Sequence, residues 1–351
     1  MKRIFTFVLS ALFAVFFTTV HAQQNVLIWK NGNVSIRPAA NIDSLTSSLG
    51  SELLNIHISA ATSVTTNTFG AAIEASFVDK VKSLSLTPEL GVCFSTLNVN
   101  PTYADECVRL GSSVTNIDFT LYELDPGTTY YYRAYVKLGD DIFYSDVKSV
   151  LTFGEKPTKI NYILINGHKF VDLGLSSGLL WARTNVGAIY SFNDGNYFAW
   201  GEVNPKPCYN GSTYGSDISS KYNSSDGRIN LGAEDDAATV NWGVPCRMPS
   251  SSDFSELGKE CKWMWTSDYN GVSGYTITGP NGNSIFLPAS GSILESEINH
   301  HGSDGYYWSR SLYSSNTNSA YDLHFYNGRI NPMNFDYRYS GLSIRPVAEN
   351  K

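Results

Sequence analysis

Strict two-residue alternation is the feature that most limits how this chain can fold. In FGAAIEASFV one side carries Ala71, Ile73, Ala75 and Phe77. In ELGVCFS it carries Leu90, Val92 and Phe94, and in IDFTLYEL it carries Ile117, Phe119 and Leu121. In YYYRAYVKL, Tyr130, Tyr132, Ala134 and Val136 share one side. Successive side chains of a strand point to opposite faces, so each run buries one face and wets the other. Runs of this kind, separated by turn residues over about 100 residues, predict a β-sandwich.

The ends and the composition set the class. Lys2 and Arg3 precede an apolar run from Ile4 to Val20, and Val20-His21-Ala22 supplies small residues where a signal peptidase cuts. Residues 1–22 are therefore expected to be a secretory signal peptide, with the mature chain starting at Gln23. The run is short for a membrane span, no basic stop-transfer cluster follows it, and no second long apolar run exists, so no span is expected after cleavage. The expected location is exported: periplasm, outer cell surface or extracellular. With 32 acidic against 25 basic residues the net charge is −7, which argues against nucleic acid as a partner. Charged residues are only 16% and aromatics 13%, too apolar for disorder and suited to a β-rich exported protein. Of the five cysteines none forms a Cys-x-x-Cys pair, and an odd count leaves one free or paired between chains.

Three parts follow the leader. Residues 23–52 hold VLIWKNGNVSI, where Asn31-Gly32 between apolar runs predicts a β-hairpin. Residues 53–154 are the expected sandwich. Within it, LDPGTTYYYRAYV places Leu124, Pro126, Gly127 and Tyr130 at a spacing that resembles the E-to-F corner of fibronectin type III domains. The resemblance implies that Tyr130 is a corner tyrosine bonded back to the chain just upstream. It also implies a spacer or binding module without chemistry of its own.

Residues 155–351 are expected to be a third domain, reached through the linker GEKPTK. YILINGHKFVDLG reads as a hairpin turning at Asn166-Gly167. Residues 203–233 read as a long irregular loop, which a compact domain rarely carries without a functional reason. Two helices are expected. One is short, near Asp235–Val240. The other starts at an N-cap Ser250 with Asp253 closing a capping box, and carries Phe254, Leu257 and Cys261 on one stripe. The stretches VDLGLSSGLLWARTNVGA, YFAWGE, DDAATVNWGVPCRMPSSSDFSEL, GPNGNSIFLPASG, GYYWSRS and GLSIRPV occur in that order. Together they resemble the fibrobacter-type major paralogous domain, a C-type-lectin-like α+β fold with few helices, frequent in exported surface proteins of gut bacteria. The resemblance implies the fold and suggests ligand binding only by analogy. The expected fold class of the whole chain is thus mainly β.

The residue patterns do not specify catalysis. GLSSG (174–178) fits Gly-x-Ser-x-Gly, but a nucleophile elbow needs a following helix and LLWARTN has no helical stripe. His300, His301 and Asp304 read as a solvated loop. GEVNP and VNWG differ from the motifs of calcium lectins of this fold, and no cysteine follows Cys261 to form the reactive pair of formylglycine-generating enzymes. Glu202, Asp235, Asp236, Glu295 and Glu297 are carboxylates without a pairing that sequence shows, and Asp235-Asp236 reads as a helix start. Cys246 and Cys261, straddling the capped helix, are expected to be a structural disulfide or two buried thiols. No cofactor or metal is expected. Residues 298–341 are dense in Tyr, Asn, Ser and Asp, a composition that gives rigid contact area and adaptable hydrogen bonds. Within it Trp308 and Phe325 are assigned to the core. Asn316, Asn318, Tyr326, Asn327, Asn334, Asp336, Tyr337 and Tyr339 are the candidate contacts for a glycan or cell-surface protein ligand. The expected function is a non-enzymatic, adhesin-like binding protein. The alternatives are a glycosidase-like or modifying enzyme on the same fold, and a structural subunit of a surface assembly.

Overall fold

A computed structural model describes residues 15–20, 23–30 and 33–38 as strands, and also describes residues 54–77, 87–139, 141–155, 162–223 and 225–350. The chain divides into two compact units, Met1–Thr158 and Lys159–Lys351. Most of the described residues in regular structure are in antiparallel strands, so the fold class is mainly β.

In the first unit, β1 (Val15–Val20), β2 (Gln23–Lys30) and β3 (Asn33–Pro38) form an antiparallel sheet in chain order. β1 falls inside the expected leader; β2 and β3 pair from Asn25 opposite Pro38 to Lys30 opposite Asn33. The Asn31-Gly32 turn itself lies outside the described residues.

The sandwich follows. β4 (Leu54–Ile58), β5 (Phe69–Phe77) and β8 (Ile117–Leu121) form one sheet. The other runs β7 (Glu106–Gly111), β6 (Glu89–Ser95), β9 (Thr129–Leu138), with β10 (Asp141–Tyr144) and β11 (Lys148–Leu151) sharing the outer side of β9. Alternation places Ile73, Leu90, Val92, Leu121, Tyr132, Ala134 and Val136 in the core at zero exposure. Tyr135 breaks the period: it belongs to the outer face yet is buried. The β6–β7 loop explains this, because Tyr103 packs edge-on against Tyr135 at 5.2 Å and Glu89 Oε1 accepts hydrogen bonds from both hydroxyls. The Tyr130 hydroxyl accepts from the Asp125 N–H at 2.9 Å. Cys93 and Cys107, direct partners across β6 and β7, form a disulfide.

The second unit starts with the hairpin β12 (Ile163–Ile165) and β13 (His168–Asp172), whose Ile165–His168 pairing leaves a two-residue turn. Asn166 and Gly167 both take positive φ there, as a type I′ turn requires. β14 (Leu180–Ala182) joins β13, and β23 (Val347–Ala348) joins β14, so the two ends of the unit share one sheet. Between them lie three helices: α1 (Ser216–Ser219), α2 (Ala237–Trp242) and α3 (Ser251–Glu260). The sheet β15 (Lys262–Tyr269), β16 (Val272–Thr278), β17 (Ser284–Pro288) comes next, then the pair β18 (Ser292–Leu294) and β19 (Glu297–Asn299). The sheet β20 (Asp304–Leu312), β21 (Ser319–Tyr326), β22 (Arg329–Tyr337) completes the unit.

Ser250 caps α3, with Ser250 Oγ accepting from the Asp253 N–H and Asp253 accepting from the Ser250 N–H. Phe254 and Leu257 drive one side of α3 into a core with Trp181, Tyr307, Leu323 and Phe325. A second core gathers Trp200, Trp242, Cys246, Met248 and Trp308. Of the two expectations for Cys246 and Cys261, the structure has thiols and no bridge: both are free, Cys246 buried and Cys261 half-buried. The two belong to different cores, Cys246 with Trp242 and Met248, and Cys261 against the one that holds Phe254 and Leu257. Burial pushes both thiols up, Cys261 to about 11.

Candidate ligand-binding surface

The groups that most resemble catalytic ones hold the fold. Asp236 is fully buried and caps α2, accepting from the Thr239 N–H at 3.0 Å and from the Met248 N–H. Burial raises its pKa against the pull of those two N–H groups. Asp235 accepts from Lys221 Nζ and from the Tyr222 hydroxyl. Arg247 pairs with Asp253 at 2.7 Å and Glu349 at 3.1 Å. In GLSSG the backbone N–H groups of Ser176 and Ser177 donate to Glu260 and Glu256 of α3, and β14 rather than a helix follows. The 174–178 turn is therefore clamped from its N–H side, without an elbow's geometry. Among histidines, His301 meets Asp194 at 2.7 Å and His324 meets Asp304 at 3.0 Å. Ser303 Oγ also donates to Asp304. The carboxylate thus sits between serine and imidazole, whereas a nucleophilic triad needs the imidazole in the middle. No group of three or more His, Cys, Asp or Glu among the described residues is placed to hold a metal ion.

The sheet β20–β22 carries the residues singled out for binding, but its hairpin geometry divides them. Ser319 pairs with Tyr337 at one end of β21 and Tyr326 with Arg329 at the other. An eight-residue strand puts those ends about 24 Å apart. Asn316, Asn318, Asp336, Tyr337 and Tyr339 gather at the first end. Tyr326 and Asn327 lie at the second, where Tyr275 holds the turn by donating to the Tyr326 carbonyl and accepting from the Gly328 N–H. These two are thus at the far end of the sheet from the other five. Asn334 lies between, with its amide turned to Asp322.

At the first end β22 presents an open aromatic strip. Met333, Phe335 and Tyr337 alternate outward, at 42%, 49% and 53% exposure. α3 covers this face of the sheet only over the other half, where Phe325 and Ile330 meet its core. Tyr313 stacks on Phe335 at 4.2 Å with rings 8° from parallel, and Tyr339 stacks on Tyr337 at 5.1 Å and 7°. Phe335 and Tyr337, two residues apart on one strand, stand about 7 Å from each other. Exposed Asn316 and Asn318 border the strip on the β20–β21 loop. Tyr313 and Phe335 escaped the sequence reading because aromatics in a strand pattern look like core. Their signal was the short β20–β21 loop, which returns Tyr313 alongside β22.

The opposite face of the same sheet sets polar groups beside buried Trp308 and Ala320. Asp322 is fully buried there, hydrogen-bonded by Asn334 Nδ2 at 3.1 Å to both carboxylate oxygens. Burial pushes its pKa well above the usual carboxylate range, and nearby Asp336 adds to the shift. Asp336 is itself raised by burial, while the Tyr337 N–H and Ser340 hydroxyl donate to it. Tyr306 stacks on His324 at 4.3 Å on this face.

The long 203–233 segment is anchored from β22's end. Arg338, 4% exposed, donates through Nε to the Tyr214 hydroxyl and through its two terminal nitrogens to the carbonyls of Ile218, Lys221 and Thr317. Its guanidinium also lies 4.9 Å from the Trp200 ring centre. α1, which the sequence pattern did not predict, is the part of the segment that Arg338 grips.

No protein-family model and no curated protein matches the sequence. Among solved structures the chain is similar to the sensor domain of the anti-sigma factor RsgI4 from Pseudobacteroides cellulosolvens, at 15% identity over 31% of this chain and 100% of that one, with TM-score 0.24. It is also similar to a fibronectin type III domain from the human KIAA0970 protein, at 16% identity over 35% and 96% of the two chains, with TM-score 0.22. The third fibronectin III domain of the human KIAA0343 protein matches at 16% identity over 33% and 98%, with TM-score 0.21. All three are β-sandwiches.

Proposed function

We propose that this chain is an exported, non-enzymatic binding protein whose second unit holds a carbohydrate ligand on the β22 strip. The observation that carries this reading is the pair of stacked aromatic couples, Tyr313–Phe335 and Tyr337–Tyr339, side by side on an open strand. Stacked rings are already ordered, so a ligand loses little of its binding energy to freezing them. Flat apolar faces bordered by Asn side chains suit a sugar ring, which has apolar C–H faces and hydroxyl edges. The sandwich serves as spacer, and the second unit is read as the C-type-lectin-like module that its sequence motifs resemble. The leader-like N-terminus supports export, and so does the Cys93–Cys107 bridge, since disulfides persist in oxidising compartments.

The test is titration calorimetry of the full chain against a panel of oligosaccharides, with Phe335→Ala and Tyr337→Ala alongside. Each substitution is expected to weaken binding about tenfold or more, about 1.4 kcal/mol. Binding unchanged in both variants would remove the strip from the site. Turnover of any glycan would replace the binding reading with an enzymatic one.

A further inference from the structure

We infer that the ligand of this surface is an uncharged carbohydrate chain, and that its site runs past β22 onto the 208–213 turn; this rests on the reading just given. The continuation is geometric. The Tyr339 ring, stacked under Tyr337, reaches within 4.0 Å of where a side chain on Gly211 would begin. The turn at Gly211 therefore lies within ordinary van der Waals reach of the ring. The turn is rigid: Asn210 Oδ1 accepts from the Ser212 N–H, the Ser212 hydroxyl and the Thr213 N–H. Its amide donates to Glu295 at 2.6 Å. Gly211, Ser212, Thr213 and Glu295 are exposed. The result is one band from Phe335 through Tyr337 and Tyr339 to Asn210 and Glu295.

The charge of this band selects the ligand. Its open carboxylate is the exposed Glu295; Asp336, between Phe335 and Tyr337 on the strand, turns to the opposite face of the sheet. The cations placed along it are engaged internally. Lys206 pairs with Glu202 at 2.7 Å and donates to the Thr213 carbonyl. Arg338 is buried, and its guanidinium donates to three carbonyls and a tyrosine hydroxyl. A carboxylated or sulfated sugar would thus meet the Glu295 carboxylate and no open cation, an arrangement that works against binding. A neutral chain loses nothing to it, and its hydroxyls can donate to Glu295.

The experiment is calorimetry on the full chain with neutral probes (cellohexaose, chitohexaose, mannohexaose) and acidic ones (polygalacturonate and chondroitin sulfate fragments). At least one neutral probe is expected to bind, with affinity little changed by 0.5 M NaCl. Acidic probes are expected to bind at least tenfold more weakly. Tyr337→Ala should remove most of the neutral binding. Glu295→Lys, a surface change, should narrow the neutral-over-acidic preference by several fold, and Gly211→Trp should weaken the longer probes more than disaccharides. Equal or tighter binding of an acidic probe would overturn the neutral assignment while leaving the strip as a carbohydrate site. Unchanged selectivity in Glu295→Lys together with unchanged binding in Gly211→Trp would overturn the extension onto the turn. Binding to no carbohydrate at all would overturn the functional reading beneath both.

Discussion

Asp322 shows what burial does to a single carboxyl. It lies opposite Trp308 across β20 and β21, and its hydrogen bonds come from the neutral amide of Asn334. Burial therefore favours the protonated acid and raises its pKa far above the ordinary carboxylate value of about 3.9. A group raised in this way contributes stability that is complete below about pH 3.9 and is lost as pH climbs through its folded value. Asp322→Asn keeps the shape without the charge. Its melting temperature should exceed the parent's at pH 8, and the gap should close toward pH 3; a gap of constant size would show that ionisation is not the cause. Single residues also mark where sequence reading succeeds. Tyr130 was legible because a corner tyrosine needs a fixed local spacing, and its bond to Asp125 spans five residues. Cysteine pairing was not, because Cys93 meets Cys107 through strand register, and counting cysteines carries no information about register.

Elements with local causes were readable in the same way. The capping box at Ser250 and Asp253 and the turn at Asn166-Gly167 are set by a few neighbouring residues. Helix α1 was not readable, because a four-residue helix has no stripe of its own and is held by Arg338, more than a hundred residues later in the chain. Nor could composition split the eight binding candidates, because only the hairpin's length shows that Tyr326 and Asn327 sit at the far end from Tyr337. Arg338→Met should keep the packing on Trp200 while removing four polar attachments. The expected outcome is new protease cleavage within 204–230 in the variant, with the β20–β22 sheet still protected from hydrogen exchange. Loss of protection in both at once would mean that Arg338 supports the whole unit.

The whole molecule is two compact units with separate cores, so heating should give two transitions. The disulfide belongs to the first unit alone, where it closes a 14-residue separation. Cross-links of that loop size contribute about 3 kcal/mol, mainly by restricting the unfolded chain. Calorimetry with and without a reductant should lower one transition and leave the other in place, and the Cys93→Ser/Cys107→Ser double variant should match the reduced parent. Movement of both transitions would show that the units unfold as one. At this scale the mainly-β class was evident from alternation, whereas the burial of Tyr135 depended on how a loop folds back over its own sheet.

Arg338 carries one more consequence. Three of its attachments on the 203–233 segment and the neighbouring β20–β21 loop are to backbone carbonyls, at Ile218, Lys221 and Thr317. A carbonyl is present whatever the side chain. The clamp therefore places little demand on the amino acids at those positions, and the segment can change its surface chemistry while keeping its course. Such a scaffold is free to diversify what it recognises without having to re-evolve how it folds.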